Sequence, residues 1–380
     1  MRCSRVCSTA FVLIACAAAC NEASSPPVTP PSASIAHASV SLAVANATVH
    51  VIPALQGLSV VGINDTDEVA GNGPKGPFRW TAKAGLQYLT MQGTKGFAVA
   101  SSVSDNGAVG GYANAGDSGY FHAAVWKPEG TLRIFQLPVE DSASGYSCSI
   151  STINVFGQMV GNCSPRLGFS DPTVFEWHGP AIISPPGVPE DDQLFAISND
   201  GWMGGGAVPD LFNSFIGAFV VSPTGQTFKL RNHSGTFDTF AWVSAVTKGG
   251  FGAGSDIEGV CQQAVAWLSH PGQTFPEFRL GTCGFATGIT PDFYVAGTGT
   301  DTTNSPSSDF AFVWFPGPGL QRLPGLGGTG ELSTAVGINA SHHVLGQITS
   351  GGVTHTVIWY VTPSSASLAE LESKLATMPR

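Results

Sequence analysis

The sequence predicts an all-β fold, a seven-bladed β-propeller of four-stranded repeats of about 45 residues each. Three observations predict it. Glycine supplies 48 of the 380 residues, while charged residues make up only 11%. That composition suits short strands and tight turns and argues against long helices. An apolar residue followed eight positions later by glycine recurs seven times, as Ile63/Gly71, Val103/Gly111, Ile153/Gly161, Ile197/Gly205, Val246/Gly254, Ile289/Gly297 and Ile338/Gly346. Finally, six of the eight tryptophans, Trp80, Trp126, Trp177, Trp267, Trp314 and Trp359, close an apolar triplet at one place in that repeat.

Each element of a repeat follows from these anchors. A first strand ends at the apolar anchor, and a turn such as Asn64-Asp65-Thr66-Asp67 leads into the strand that carries the glycine. Gly107, Gly157, Gly201 and Gly250 lie four residues after their anchors, where a tight hairpin calls for positive φ. The triplet, for instance Phe78-Arg79-Trp80 or Val357-Ile358-Trp359, alternates fixed outer residues with a variable middle one, as a half-buried strand does. A short apolar run such as LRIFQLP or LQRLPGLGG supplies the fourth strand. Repeat seven lacks that run, and Val49 to Leu55, ahead of repeat one, resembles it. The segment is therefore expected to complete the last repeat and so remove a bare edge. A β-solenoid is the alternative, and it would leave this segment on the first coil.

The ends differ from the body. Residues 1–15 read as a signal peptide, with Arg2 and Arg5 before an apolar stretch from Val6 to Ala15 that is too short to span a bilayer. Leu13-Ile14-Ala15-Cys16 resembles the bacterial lipobox, which makes Cys16 the expected lipidated residue and Cys20 the alternative. Residues 16–41, rich in Pro, Ser and Ala, read as a tether. The repeats fill 42–362. In the tail, 363–380, Leu368, Leu371, Leu375 and Met378 make one stripe at helical spacing, which predicts a short C-terminal helix.

The repeat resembles the HAF repeat proteins of bacterial envelopes, whose units run roughly A-x-x-INxxGxVVG…HAFxW…LG-LGG. Repeat seven, LGGTGELSTAVGINASHHVLGQITSGGVTHTVIW, carries the resemblance most fully, and His122-Ala123-Ala124-Val125-Trp126 carries the naming motif. Val221 in place of Trp and Val265 in place of Phe depart from it. The resemblance implies an extracytoplasmic location and a repeat fold, and no activity.

The four cysteines of the body form two local pairs, and an even count behind an export signal points to disulfides. Cys148 and Cys163 are equidistant from the turn Asn154–Gly157, and Cys261 and Cys283 are equidistant from Gly272. Each pair is expected to face across a hairpin. The net charge of −10 argues against a nucleic-acid partner. No nucleophile elbow, zincin motif, phosphate loop or dinucleotide fingerprint occurs, so neither catalytic residues nor a cofactor are expected. Asn64 to Glu68 lacks calcium-loop ligand spacing and reads as a turn. His342, His343 and His355 invite a metal reading, but adjacent strand residues point to opposite faces, so no metal site is expected. Trp202, Trp242, Phe212 and Phe215 fall off the repeat and are read as packing. The expected function is that of a monomeric, lipid-anchored cell-envelope binding or scaffolding module for protein or glycan. A propeller glycoside hydrolase or polysaccharide lyase is the alternative, and a structural surface protein without a ligand is the third reading.

Overall fold

The computed structural model describes residues 46–362, apart from 95, 115–119, 136–145, 166–170, 177–181, 184–187, 189–191, 208–216, 232–240, 259–260, 269–277, 302–307 and 317. Cys16, Cys20, Trp177, Phe212, Phe215 and the expected C-terminal helix lie outside the described residues. Among those described, no helix is long and apolar enough to cross a membrane.

Strands form where the anchors place them. β1 (Ala47–Val51) precedes the first repeat. Repeat one holds β2 (Ser59–Ile63), β3 (Val69–Gly73), β4 (Gly76–Thr81) and β5 (Gly85–Tyr88). Repeat two holds β6 (Ala98–Val103), β7 (Val109–Asn114), β8 (Phe121–Trp126) and β9 (Leu132–Ile134). Repeat three holds β10 (Tyr146–Ile153), β11 (Gln158–Pro165), β12 (Asp171–Glu176) and β13 (Ile182–Ile183). Repeat four holds β14 (Asp192–Ile197), β15 (Met203–Ala207), β16 (Phe219–Val221) and β17 (Thr227–Lys229). Repeat five begins with β18 (Ala241–Val246), β19 (Gly252–Glu258) and β20 (Cys261–Trp267). The long β21 (Phe278–Ile289) ends repeat five and opens repeat six, which continues with β22 (Val295–Asp301), β23 (Ser308–Phe315) and β24 (Gly319–Arg322). Repeat seven holds β25 (Leu332–Ile338), β26 (His343–Ser350) and β27 (Val353–Val361). Every first strand ends on its anchor residue.

All pairings are antiparallel. Repeats one, two and three each form a separate four-stranded sheet. Repeats four to six depart from the expected separate units and share one 11-stranded sheet. Two features merge them. β21 runs unbroken from repeat five into repeat six, and Gly206 of β15 pairs directly with Trp242 of β18. In four other repeats the position of Gly206 carries a polar side chain, Asn72, Asn162, Thr298 or Gln347, that bridges to the next repeat. Asn72 bonds both the N–H and the C=O of Ala100, and Asn162 bonds both groups of Leu194. With no side chain at Gly206, the two backbones meet without an intermediary.

The last repeat takes its fourth strand from the start of the chain. β1 lies beside β27, with Ala47 opposite Val361 and Val51 opposite Val357. The expected segment was Val49 to Leu55, but the strand ends at Val51 and Pro53–Leu55 forms a 3-10 turn. Pro53, with no N–H to give a ladder, stops it. Leu345 and Ile358 of repeat seven share a core with Leu55, Val60, Val69 and Phe78.

The recurrent glycine has a steric cause. Each first strand carries a β-bulge opposite it, as between Ala100 and Ser102 facing Gly111. The bulge turns a carbonyl inward. A β-carbon on Gly111 would lie 1.9 Å from the Val99 oxygen, and one on Gly161 1.9 Å from that of Ser149. At Gly71, Gly205, Gly254, Gly297 and Gly346 the same clash is 2.0 to 2.3 Å. No side chain fits any of the seven positions.

The tryptophans join consecutive repeats. Trp126, Trp267 and Trp359 are almost fully buried. Their Nε1 atoms donate to the carbonyls of Thr90, Arg231 and Pro324, at 2.8, 3.0 and 2.7 Å, where the chain enters the repeat. Each ring thus fills a core and also satisfies a connecting loop.

Candidate functional site: the hairpin turns after the first strands

The turns that follow the seven anchors gather most of the polar side chains discussed above. In each turn the residue after the anchor is a buried Asn, Ser or Thr: Asn64, Ser104, Asn154, Ser198, Thr247, Thr290 and Asn339. Asn64 shows why. Its Oδ1 accepts from the N–H groups of Thr66 and Glu68, at 3.0 and 2.9 Å, and so closes the turn on itself. Its Nδ2 then donates to the Ser104 carbonyl of the next repeat at 2.9 Å. Asn154 does the same toward Ser198, and Asn339 toward Asn64. The residue four after the anchor has positive φ in every repeat. Four of these are glycines, and the other three, Asp67, Phe293 and His342, are the non-glycine residues with positive φ among those described.

Charged side chains of the turns reach neighbouring repeats. Asp105 Oδ1 accepts from the Asp65 N–H at 3.0 Å, and its Oδ2 accepts from Asn199 Nδ2 at 2.8 Å. One carboxylate therefore links repeats one, two and four. Asp65 Oδ1 accepts from the Ala340 N–H at 2.8 Å. Burial raises the Asp65 carboxyl above its ordinary value. The Ala340 N–H opposes this, and the charges of Asp105 and Asp67 add to it. Burial also raises Glu68 against the opposing pull of Arg79 and Asn64. Asp292 is the reverse case: burial would raise it, but bonds from His342 and Thr290 hold it below the ordinary carboxylate value.

The three histidines of repeat seven do not converge. His342 Nε2 lies 2.7 Å from Asp292 Oδ2 of repeat six. His343 Nδ1 lies 2.7 Å from Asp67 Oδ1 of repeat one. His342 packs on Tyr294 and His343 on Tyr360, with ring centroids 4.3 Å apart in each case. His355 sits further along β27, opposite Ile348. Among the described residues no group of three or more His, Cys, Asp or Glu is placed to hold a metal. The expected Asn64–Glu68 turn forms, and its carboxylates bond within the protein.

Both disulfides form, Cys148–Cys163 and Cys261–Cys283. Two disulfides suit an oxidising, extracytoplasmic compartment. Cys148 faces Cys163 directly on β10 and β11, as the hairpin arithmetic expects. The second pair does not face across its hairpin. Cys283 lies opposite Gln263, because a bulge between Gln263 and Val265 shifts the register, and the bond runs diagonally. Trp202 packs against the core that Val220, Val243 and Trp267 share.

Sequence reasoning missed three features. It did not see the polar position one residue after the repeat glycine, the bridging role of Asp105, or the two His–Asp contacts. The first carried a readable signal in Asn72 and Asn162. The other two depend on contacts between distant repeats.

No protein-family model matches the sequence, and no curated protein does. Among solved structures, a Trypanosoma rangeli sialidase in complex with 2,3-difluorosialic acid aligns with a TM-score of 0.36 and 8% identity, over 84% of this chain and 55% of that one. The chain spans about half the length of that enzyme. A likeness of this size transfers neither a site nor a reaction.

Proposed function

We propose that the chain is a cell-envelope lipoprotein of the HAF-repeat kind, anchored through Cys16. In this reading its body is a closed seven-bladed β-propeller that serves as a binding or scaffolding module for protein or glycan. The reading rests above all on how the last repeat meets the first. β1 is the outer strand beside β27, while Asn339, Ala340 and His343 bond Asn64, Asp65 and Asp67. A solenoid provides no such return contact. The turn carboxylates Asp65, Asp67, Asp105 and Asp292 are each engaged in bonds to neighbouring repeats, which favours a rigid ring over an acid–base pair.

Purified body would be incubated with envelope polysaccharides and assayed for both binding and release of reducing ends. Saturable binding without release supports the reading. Release that is lost in Asp65→Asn or Asp105→Asn, without a fall in thermal stability, overturns it in favour of a hydrolase. Palmitate labelling tests the anchor: Cys16→Ser removes the label, and unchanged labelling assigns it to Cys20.

A further inference from the structure

We propose that Cys261–Cys283 is a redox-sensitive tie, opened by a dithiol reductant while Cys148–Cys163 stays closed, and that opening it loosens the strand shared by repeats five and six. The inference does not depend on ring closure or on the lipid anchor.

The two disulfides sit in different surroundings. Cys148 and Cys163 are 3% and 1% exposed and pack among Ala108, Val125, Ile150 and Met159. A reductant has no path to them without local unfolding. Cys261 and Cys283 are both only partly buried. Cys261 begins β20, and Cys283 lies at the point where β21 leaves β20 and starts to pair with β22. The Gln263 amide reaches both sulfurs, with Nε2 2.7 Å from Cys261 Sγ and 3.8 Å from Cys283 Sγ.

That amide sets the direction of exchange. A thiolate of the reductant attacks Cys283 Sγ and forms a mixed disulfide. The Sγ–Sγ bond breaks and its electron pair stays on Cys261 Sγ, where the Gln263 N–H donates to the new thiolate. The second thiolate of the reductant then attacks its own sulfur in the mixed disulfide and releases the Cys283 thiolate. The reductant leaves as a disulfide, and the protein has gained two electrons. Stabilising the departing thiolate speeds the first step.

The mechanical consequence follows from register. Before Cys283, β21 is paired with β20 only at Phe278, Arg279 and the bulged Cys283. After it, five further residues pair with β22. The disulfide holds the weakly paired half.

The test uses oxidised full-length protein under native conditions, treated with dithiothreitol, quenched with iodoacetamide and mapped by mass spectrometry. Cys261 and Cys283 should become alkylated at least tenfold faster than Cys148 and Cys163. Gln263→Leu should slow that reaction by roughly tenfold, whereas a purely structural role for the amide would leave the rate unchanged or raise it. Hydrogen exchange should rise in 278–283 on reduction and stay constant in 285–289. Joint reaction of all four cysteines, or earlier reaction of Cys148 and Cys163, overturns the proposal. Reduction of Gln263→Leu at or above the wild-type rate overturns the leaving-group argument.

Discussion

Gly346→Ala and Gly337→Ala form a matched pair within repeat seven. A β-carbon on Gly346 would lie 2.1 Å from the Thr334 carbonyl oxygen and 2.5 Å from the Trp359 ring. Ordinary contact needs more than 3 Å, so β25 and β26 must separate by about 1 Å and the Trp359 ring must also move. The ring is fully buried, and its Nε1 is bonded to Pro324. Overpacking against backbone on one side and a fixed ring on the other belongs at the upper end of the range, about 3 kcal/mol. For a domain of this size that lowers Tm by about 4–5 °C. Gly337, in the bulge of the same repeat, has no atom within 4 Å of its would-be β-carbon, so Gly337→Ala should lie within about 1 kcal/mol of wild type. Urea melts followed by tryptophan fluorescence measure both. If Gly346→Ala falls within 0.5 kcal/mol of wild type, the bulge explanation of the repeat glycine is wrong.

Three further outcomes are expected. Trp359→Phe removes the bond to Pro324 and leaves a small void, which should cost about 1–3 kcal/mol by denaturant melt; a neutral result would mean the loop does not need the indole. A double-mutant cycle on His343→Ala and Asp67→Ala should return a coupling of about 1 kcal/mol, and zero coupling would remove the contact between the first and last repeats from the stability argument. Asp65 has a raised carboxyl in the folded protein, so its contribution is fully present below the unfolded value near 3.8 and is lost as pH rises through the folded value. Asp65→Asn should therefore melt higher than wild type at pH 7, with the gap closing toward pH 3; a gap independent of pH would contradict the charge argument. Asp292, held low, behaves oppositely: its contribution is present above the unfolded value and is lost as pH falls through the folded one.

Local rules carried much of the fold. The anchors marked the last residue of every first strand, and Gly107 predicted positive φ because only a side-chain-free residue adopts it without strain. His342, Asp67 and Phe293 occupy the same conformation, which the residue types alone did not announce. Hairpin symmetry placed Cys148 opposite Cys163 because the one-residue bulge in β10 cancels a one-residue offset at the turn, where Ile153 pairs with Met159. The same arithmetic failed for Cys261, where two extra residues in β21 displaced the register. The site was less legible. Asp105 reads as an ordinary turn aspartate, and its partners Asp65 and Asn199 are assembled only by the packing of separate repeats. The merged sheet depended on Gly206, whose effect is felt 36 residues away at Trp242.

Strand β1 has a topological consequence. The Thr362 N–H donates to the Asn46 carbonyl at 2.9 Å, so the first and last described residues of the body are one hydrogen bond apart. A linker of a few residues would splice them, and the chain could then be opened at a connection between two separate sheets, such as that between repeats one and two. Such circular permutants would move the seam from repeat seven to another repeat while keeping the same set of strand pairs.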